Sequence, residues 1–217
     1  MLLFLNLIAN PFGRVEKVKI TKSTEEIPNI DKEKEITTIS KDTSQNSELF
    51  EIFVEVITLH EGFKSKPYHT GVDTDGMTIG YGHLIKEGEH FTEITEPQAR
   101  QLLRKDFKRS IEYVKKYSPS ISLLEHKLLP ISHFVYAKGI GNYNRSKLKK
   151  RVDSAQTIDK QIKRWSTIVV KGIRKQHPWM LRNREFEALV YNGANPTVEI
   201  KKYREYVRIN YGIKTRK

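Results

Sequence analysis

One glutamate, two aspartates and a threonine lie within eighteen residues and include the groups needed for acid-assisted hydrolysis. Glu61 follows a helical pattern, Asp73 and Asp75 lie in the next loop, and Thr78 opens the run Thr-Ile-Gly-Tyr-Gly-His. Cleavage of a glycosidic bond needs one acid to protonate the leaving oxygen and a second carboxylate to orient water or stabilise the transition state. The residue types fit this reaction. Because the chain has 26 acidic residues and most such pairs in proteins are solvated surface charges, the spacing alone leaves other roles open.

The patterns on either side of these residues predict the elements that hold them in place. Residues 48–60 carry apolar side chains at helical spacing, with glutamates on the opposite face, and Gly62 can end that helix after Glu61. Residues 66–83 lose this spacing and are rich in glycine, threonine and tyrosine, which favours a small twisted hairpin. The acid would then be fixed at a helix end and face a carboxylate on a hairpin.

The rest of the chain is predicted to be helical with short breaks. Thr95-Glu96-Pro97-Gln98 has the pattern of a capping box with proline in the first turn, and it opens a helix that continues through Val114. Further helices are predicted over 125–138, 145–152, 157–170, 181–191 and 197–209. The predicted fold class is therefore α+β and mostly helical.

Positive charge is concentrated in the part of the chain that we expect to fold. The net charge is +13, yet residues 1–48 hold 7 basic and 8 acidic residues, so the remainder carries 32 basic against 18 acidic residues. Such a basic domain suggests an anionic partner, which could be nucleic acid, anionic lipid or a bacterial wall polymer. We divide the chain into a flexible leader (1–47), a folded domain (48–195) and a basic helical extension (196–217).

The N-terminal residues contain a short apolar run from Leu2 to Ala9, interrupted by Asn6. The run is shorter than the roughly 20 residues that cross a bilayer, and it lacks the basic start of a secretory signal. We expect no stable membrane span. A weak export signal and a short strand or hydrophobic tail both remain open, and so does the export route.

Metal, thiol and phosphate-loop chemistry find no support in the sequence, so we expect no metal and no cofactor. There is no cysteine, and no histidine pair has metal-ligand spacing within a predicted helix; the seven histidines are His60, His69, His83, His90, His126, His133 and His177. The run Gly80-Tyr81-Gly82 lacks the lysine that follows a phosphate-binding loop. Its glycines favour close backbone packing instead.

Four segments, in order and at plausible distances, resemble the bacteriophage-type lysozymes of glycoside hydrolase family 24, found in phage endolysins and related bacterial muramidases. The similarity covers about residues 49–193. The first segment has His60-Glu61-Gly62-Phe63, Pro67-Tyr68 and Thr78 to His83. The second is the capped helix Thr95 to Asp106, the third is Phe134 to Leu148, and the fourth is Trp165 followed by Leu181-Arg182-Asn183-Arg184-Glu185, Glu187 and Tyr191.

This resemblance implies a fold, a substrate and roles for particular residues. The fold has a small hairpin lobe and a larger helical lobe with the substrate cleft between them. The implied substrate is peptidoglycan, cut between N-acetylmuramic acid and N-acetylglucosamine. Glu61 matches the general acid and Thr78 the threonine that helps to hold the attacking water. We place Gly82 and His83 at the substrate-binding surface, and we expect His83 to hydrogen-bond within the hairpin near Glu61.

The second carboxylate is where this sequence departs from the family pattern. The family has Tyr-x-Asp, whereas Tyr68 is followed by His69 and Thr70, and the loop before Thr78 is about two residues longer than usual. Asp73, Asp75 and Thr70 are therefore all candidates. We favour Asp73 as the catalytic group, because Asp75 precedes Gly76 and Asp-Gly is a tight-turn dipeptide.

Three functions remain open at this point. The first is a monomeric lysozyme that acts on peptidoglycan, with anionic wall polymers as a possible partner for its basic surface. The second is a relative that binds the wall but is catalytically weakened. The third, a basic nucleic-acid-binding protein, lacks a recognisable binding module near its densest basic clusters; these are Lys147, Lys149, Lys150 and Arg151, and Lys171, Arg174 and Lys175. Arg182 and Arg184 could line the cleft or pair with Glu185 and Glu187, and we favour the pairing.

Overall fold

The computed structural model describes residues 48–69, 76–170 and 172–213. The leader, including the apolar run at its start, lies outside these ranges. So do Thr70, Asp73 and Asp75, and the predictions made for them remain predictions.

Helix α1 spans residues 48–61, as its apolar spacing predicts. One face is buried in the core, where Phe53 and Ile57 are almost completely excluded from solvent. The helix ends because Gly62 takes a φ of +68°, a conformation that glycine adopts without the strain that a Cβ atom would cause. Glu61 is thereby held in the last turn.

A three-stranded antiparallel sheet follows α1. Its strands are β1 (Lys64–Tyr68), β2 (Thr78–Gly80) and β3 (His83–Leu84), in the spatial order β1-β2-β3. The register sets Tyr68 opposite Thr78. The predicted hairpin is therefore present, and a short third strand is added to it.

The remaining helices form the larger part of the fold. They are α2 (Glu96–Tyr117), α3 (Glu125–Lys138), α4 (Ile140–Asn144), α5 (Lys147–Asp153), α6 (Asp159–Lys163), α7 (Pro178–Tyr191) and α8 (Pro196–Tyr211). Helix α2 packs on α3, α3 on α7, and α7 on α8. The architecture is mostly helical with small antiparallel sheets, which confirms the predicted fold class. Within the described ranges, no helix has both the length and the apolar composition required to cross a membrane.

The start of this helical part follows from local sequence. The capping box at α2 is present: the Gln98 side chain accepts a hydrogen bond from the Thr95 N–H at 2.8 Å, and the Thr95 hydroxyl accepts one from the Gln98 N–H. Helix α8 lies in the segment that we separated as an extension. It buries Ile200, Tyr203 and Val207 against the core.

The predicted helix over 157–170 is wrong beyond residue 163. Helix α6 ends there, a 3₁₀ turn follows, and β4 (Thr167–Val170) pairs in antiparallel fashion with β5 (Ile173–Gln176). The sequence Thr-Ile-Val-Val is β-branched throughout, which lowers helix propensity and favours a strand. The large apolar side chains of this second hairpin remain exposed.

Candidate active site

Glu61 lies at the end of α1 with 32% of its side chain exposed. The carboxyl group lies close to Gly82, whose φ is +91°. A Cβ atom at Gly82 would lie 3.9 Å from Glu61 Oε2 and 3.9 Å from the Tyr136 hydroxyl oxygen. The absence of a side chain at residue 82 thus leaves one edge of the carboxyl group open to a ligand.

Burial raises the pKa of Glu61 above its usual value, because the surrounding protein atoms replace part of the water that would solvate the charged form. The positive charges of Lys138 and Arg184 act in the opposite direction and lower this pKa. A carboxylic acid with a raised pKa is one that keeps its proton to higher pH, as a general acid must.

Two tyrosines surround this acid. Tyr136 of α3 donates a hydrogen bond of 2.8 Å to the Tyr81 carbonyl oxygen, which connects the helical part to the turn before β3. Burial, followed by the charge of Glu61, raises the pKa of Tyr136 well above its usual value, so its hydroxyl stays protonated as a donor. The pKa of Tyr68 is raised by the same two causes. The charge of Glu61 therefore raises the pKa of one tyrosine on β1 and of another on α3.

Thr78, the predicted water-holding residue, is 5% exposed in β2. In the sheet register Thr78 is paired with Tyr68 of β1. Tyr68 is close enough to Glu61 for the charge of that acid to raise its pKa. Asp73, Asp75 and Thr70, the three candidates for the second catalytic position, lie outside the described residues. The structure thus brings together Glu61 and Gly82 from the predicted set.

His83 is buried and held by two carboxylates. Its Nδ1 lies 2.6 Å from Asp106 Oδ2 on α2, and its Nε2 lies 2.9 Å from Glu89 Oε2 in the loop after β3. Both ring nitrogens are thus occupied by carboxylates, and the place of His83 at the substrate-binding surface stays a prediction. These contacts connect β3 to α2 and to the following loop.

The fixed geometry of His83 predicts a pH-dependent stability. The hydrogen bond to Asp106 raises its pKa above the usual 6.5, while burial opposes this rise and Glu89 supports it. The folded protein then binds the proton more tightly than the unfolded chain. The stabilisation is complete below about pH 6.5 and is lost as the pH rises through the folded-state pKa. Urea unfolding between about pH 5 and about pH 9 should show this loss.

Asp106→Asn should remove most of that pH dependence and lower the free energy of unfolding at about pH 5 by about 1.5–3 kcal/mol, since a charged hydrogen bond is lost. Glu112→Gln serves as the control, because Glu112 is an exposed carboxylate on the same helix. An unchanged pH profile in Asp106→Asn would show that the pair does not stabilise the fold.

Three buried residues, His133, Arg184 and Glu187, form a polar network near Glu61. Glu187 Oε1 lies within hydrogen-bond distance of His133 Nδ1, at 2.6 Å, and forms an ion pair of 2.9 Å with the Arg184 guanidinium; all three residues are at most 2% exposed. The guanidinium carbon of Arg184 lies 5.1 Å from the ring centroid of Phe134. Arg184 pairs with Glu187, as expected. This network fixes the position of a positive charge that acts on Glu61.

His60, next to the acid in sequence, is held in its neutral form. Burial is the main cause that lowers its pKa to about 3, and nearby positive charges add to the effect. Its ring packs edge-on against Trp179 with centroids 5.5 Å apart, and its Nε2 lies 3.9 Å from Glu61 Oε1. His60 therefore adds no charge beside Glu61 at neutral pH. Among the described residues, no group of three acidic or histidine side chains is arranged to hold a metal ion.

Two phage endolysins are similar to this chain in sequence. The endolysin of Bacillus phage PZA is 25% identical over 145 residues, which are 66% of this chain and 54% of that protein. The chain thus spans about half the length of this relative. The SAR-endolysin of Bacteriophage PS34 is 31% identical over 130 residues, which are 58% of this chain and 73% of that protein.

Solved structures share the fold. An endolysin from Escherichia coli O157:H7 phage FAHEc1 matches with a TM-score of 0.55 at 22% identity, over 65% of this chain and 91% of its own. The muramidase domain of SpmX from Asticaccaulis excentricus matches with a TM-score of 0.56 at 21% identity, over 64% and 93%. The phage lysozyme family model matches residues 58–187, which is more than half of the chain. The chain therefore belongs to the phage lysozyme family.

Proposed function

We propose that the protein is a lysozyme that hydrolyses peptidoglycan at the β-1,4 bond between N-acetylmuramic acid and N-acetylglucosamine. The observation that carries the proposal is Glu61, a partly exposed acid with a raised pKa, fixed at a helix end beside the bare backbone of Gly82. Family membership supports the same substrate. The proposed place of action is the bacterial cell wall, with the protein working as a monomer.

In the proposed mechanism, the carboxylic acid of Glu61 donates its proton to the leaving glycosidic oxygen. Water, oriented by Thr78 and by the Asp73 carboxylate, attacks the anomeric carbon from the opposite face and gives up its proton to that carboxylate. This route inverts the anomeric centre and requires carboxyl groups about 6.5–9.5 Å apart. Asp75 and Thr70 are the alternatives for the position of Asp73.

The charges around Glu61 support a role as acid. Burial raises its pKa, and the charges of Lys138 and Arg184 keep the rise in check. The acid can therefore hold its proton before the bond breaks and release it afterwards. A pKa close to the working pH is the condition for efficient general acid catalysis.

The products of wall digestion test this proposal. Purified peptidoglycan incubated with the protein should gain new reducing ends that carry N-acetylmuramic acid, which borohydride reduction and mass spectrometry identify. Sampled early by NMR, these ends should have the α configuration, as inversion requires. Reducing ends on N-acetylglucosamine, or cleavage within the peptide stems, would contradict the proposal.

A further inference from the structure

A concave site is lined by residues of helices α3, α5 and α6 and of the second hairpin. It is a cavity of about 580 Å³ whose lining includes four basic residues, Lys138, Lys147, Arg164 and Arg174. Trp165 and Val169 contribute apolar surface. We call this site the basic pocket. Its lining includes one residue from each of the two densest basic clusters of the sequence, Lys147 from the first and Arg174 from the second.

Among the described residues, no aspartate or glutamate lies within salt-bridge distance of the four cations of the basic pocket. Elsewhere the described arginines are paired: Arg100, Arg104, Arg109, Arg182, Arg184, Arg204 and Arg208 each lie within salt-bridge distance of an aspartate or glutamate. The described arginines that lack such a partner all fall between residues 145 and 174, and Arg164 and Arg174 are two of them. The lining of the basic pocket contains no acidic side chain.

Four cations line one cavity whose lining has no acidic side chain, and like charges placed around one cavity repel each other. Burial and the charge of Arg184 lower the pKa of Lys138, while the charges of Glu187 and Glu61 raise it, and the net shift is downward. An anion in the cavity would relieve the repulsion. Guanidinium groups are suited to this task, because their planar donors match the oxygen pairs of a phosphate group.

We propose that the basic pocket binds a phosphodiester polymer with a polyol backbone, of the kind attached to bacterial walls. The cations face the phosphates, while Trp165 and Val169 pack against the carbon backbone. Nucleic acid fits less well, because binding of single strands relies on successive aromatic rings for stacking, whereas Trp165 is a lone ring in this lining and packs edge-on against Phe134. The inference rests on the proposed function for its choice of wall polymer.

The location of Lys138 connects this pocket to the catalytic site. Lys138 ends helix α3, lines the basic pocket, and is close enough to Glu61 for its charge to lower the pKa of that acid. A polymer held in the basic pocket would therefore keep the enzyme against wall in which glycan strands and phosphodiester chains lie side by side.

The test measures binding of fluorescently labelled poly(glycerol phosphate) to the full chain by anisotropy at several salt concentrations. The variant carries Lys147→Gln together with Arg174→Gln, both of which are exposed lining residues. The control carries Lys150→Gln together with Lys175→Gln. These two residues lie on the same helix and strand and change the net charge equally, but they do not line the pocket.

We expect the pocket variant to bind at least about tenfold more weakly near 0.15 M salt and with a shallower salt dependence, since fewer counterions are released. The control should change less than about threefold. Polyglutamate and single-stranded DNA of matched charge should bind the wild type more weakly than poly(glycerol phosphate). Equal losses in the two variants, or equal binding of any of these polymers, would overturn the proposal.

Failure of the proposed function would be seen separately. Hydrolysis is measured on peptidoglycan from which phosphodiester polymers have been removed by acid, where the basic pocket has no ligand. Absence of cleavage there contradicts the lysozyme assignment. Equal binding by the pocket variant and its control contradicts only the pocket.

Discussion

Glu61→Gln should lower kcat/KM for peptidoglycan hydrolysis by about a hundred- to ten-thousandfold, the range that a general acid contributes. Glutamine keeps the shape of the side chain but has no proton to give to the leaving oxygen. The variant should fold at least as well as the parent. Because burial raises the pKa of Glu61, the native environment disfavours its charged form, and a neutral amide avoids that cost.

The matched control is Glu87→Gln, an identical chemical change at an exposed glutamate in the loop after β3. Its kcat/KM should equal that of the wild type. Thermal unfolding of both variants separates loss of catalysis from loss of structure. Wild-type turnover by a folded Glu61→Gln protein would remove Glu61 from the mechanism.

Glu187→Gln should have the largest effect on stability, a loss of about 3–5 kcal/mol in the free energy of unfolding. Glu187 is fully buried, forms an ion pair with Arg184 and is hydrogen-bonded to His133. The Nε and Nη1 atoms of Arg184 already lack an acceptor among the described residues. Removal of the carboxylate leaves a buried guanidinium without a counter-charge, which is the costly way to break such a pair.

Glu185→Gln provides the comparison on the same helix. Glu185 is about a third exposed and approaches Arg182 and Lys163 no closer than 3.8 Å, so its loss should cost at most about 1 kcal/mol. Urea unfolding of the two variants measures the difference. Similar small losses in both would show that the buried network does not stabilise the fold.

Elements with a strong local signal could be predicted from the sequence. The capping box at Thr95, the apolar face of α1 and the glycine after Glu61 each determine a boundary through contacts within a few residues. The second hairpin could not be predicted because only a 3₁₀ turn separates the helical period of α6 from the β-branched residues of β4. Its exposed strands bury little apolar surface, so no alternating pattern distinguishes them from a helix.

The candidate site was only partly predictable, and the distance between partners along the chain explains the difference. Glu61 and Gly82 lie only 21 positions apart and belong to the same matching segment. In contrast, Tyr136 reaches Tyr81 across 55 positions and His133 reaches Glu187 across 54, and no local pattern marks either pair. For His83 the expected contact within the hairpin was too local, because its Nδ1 partner Asp106 lies on α2.

The side chain of Glu61 is partly exposed, and hydrogen bonds and an ion pair hold the residues around it in place. Gly82 leaves the carboxyl group accessible, while Tyr136 ties α3 to the adjacent turn and the buried Arg184–Glu187 pair keeps a positive charge in place. The environment of this acid is thus built from both the sheet and the helices. A change in either part should alter its proton affinity.

The most direct test of the central claim counts new N-acetylmuramic acid reducing ends released from purified peptidoglycan by the wild type, Glu61→Gln and Glu87→Gln side by side. The wild type and Glu87→Gln should release them at equal rates, and Glu61→Gln should release almost none while unfolding at the same temperature or higher. Release by Glu61→Gln at the wild-type rate, or no release by the wild type, would contradict the assignment of Glu61 as the catalytic acid of a lysozyme.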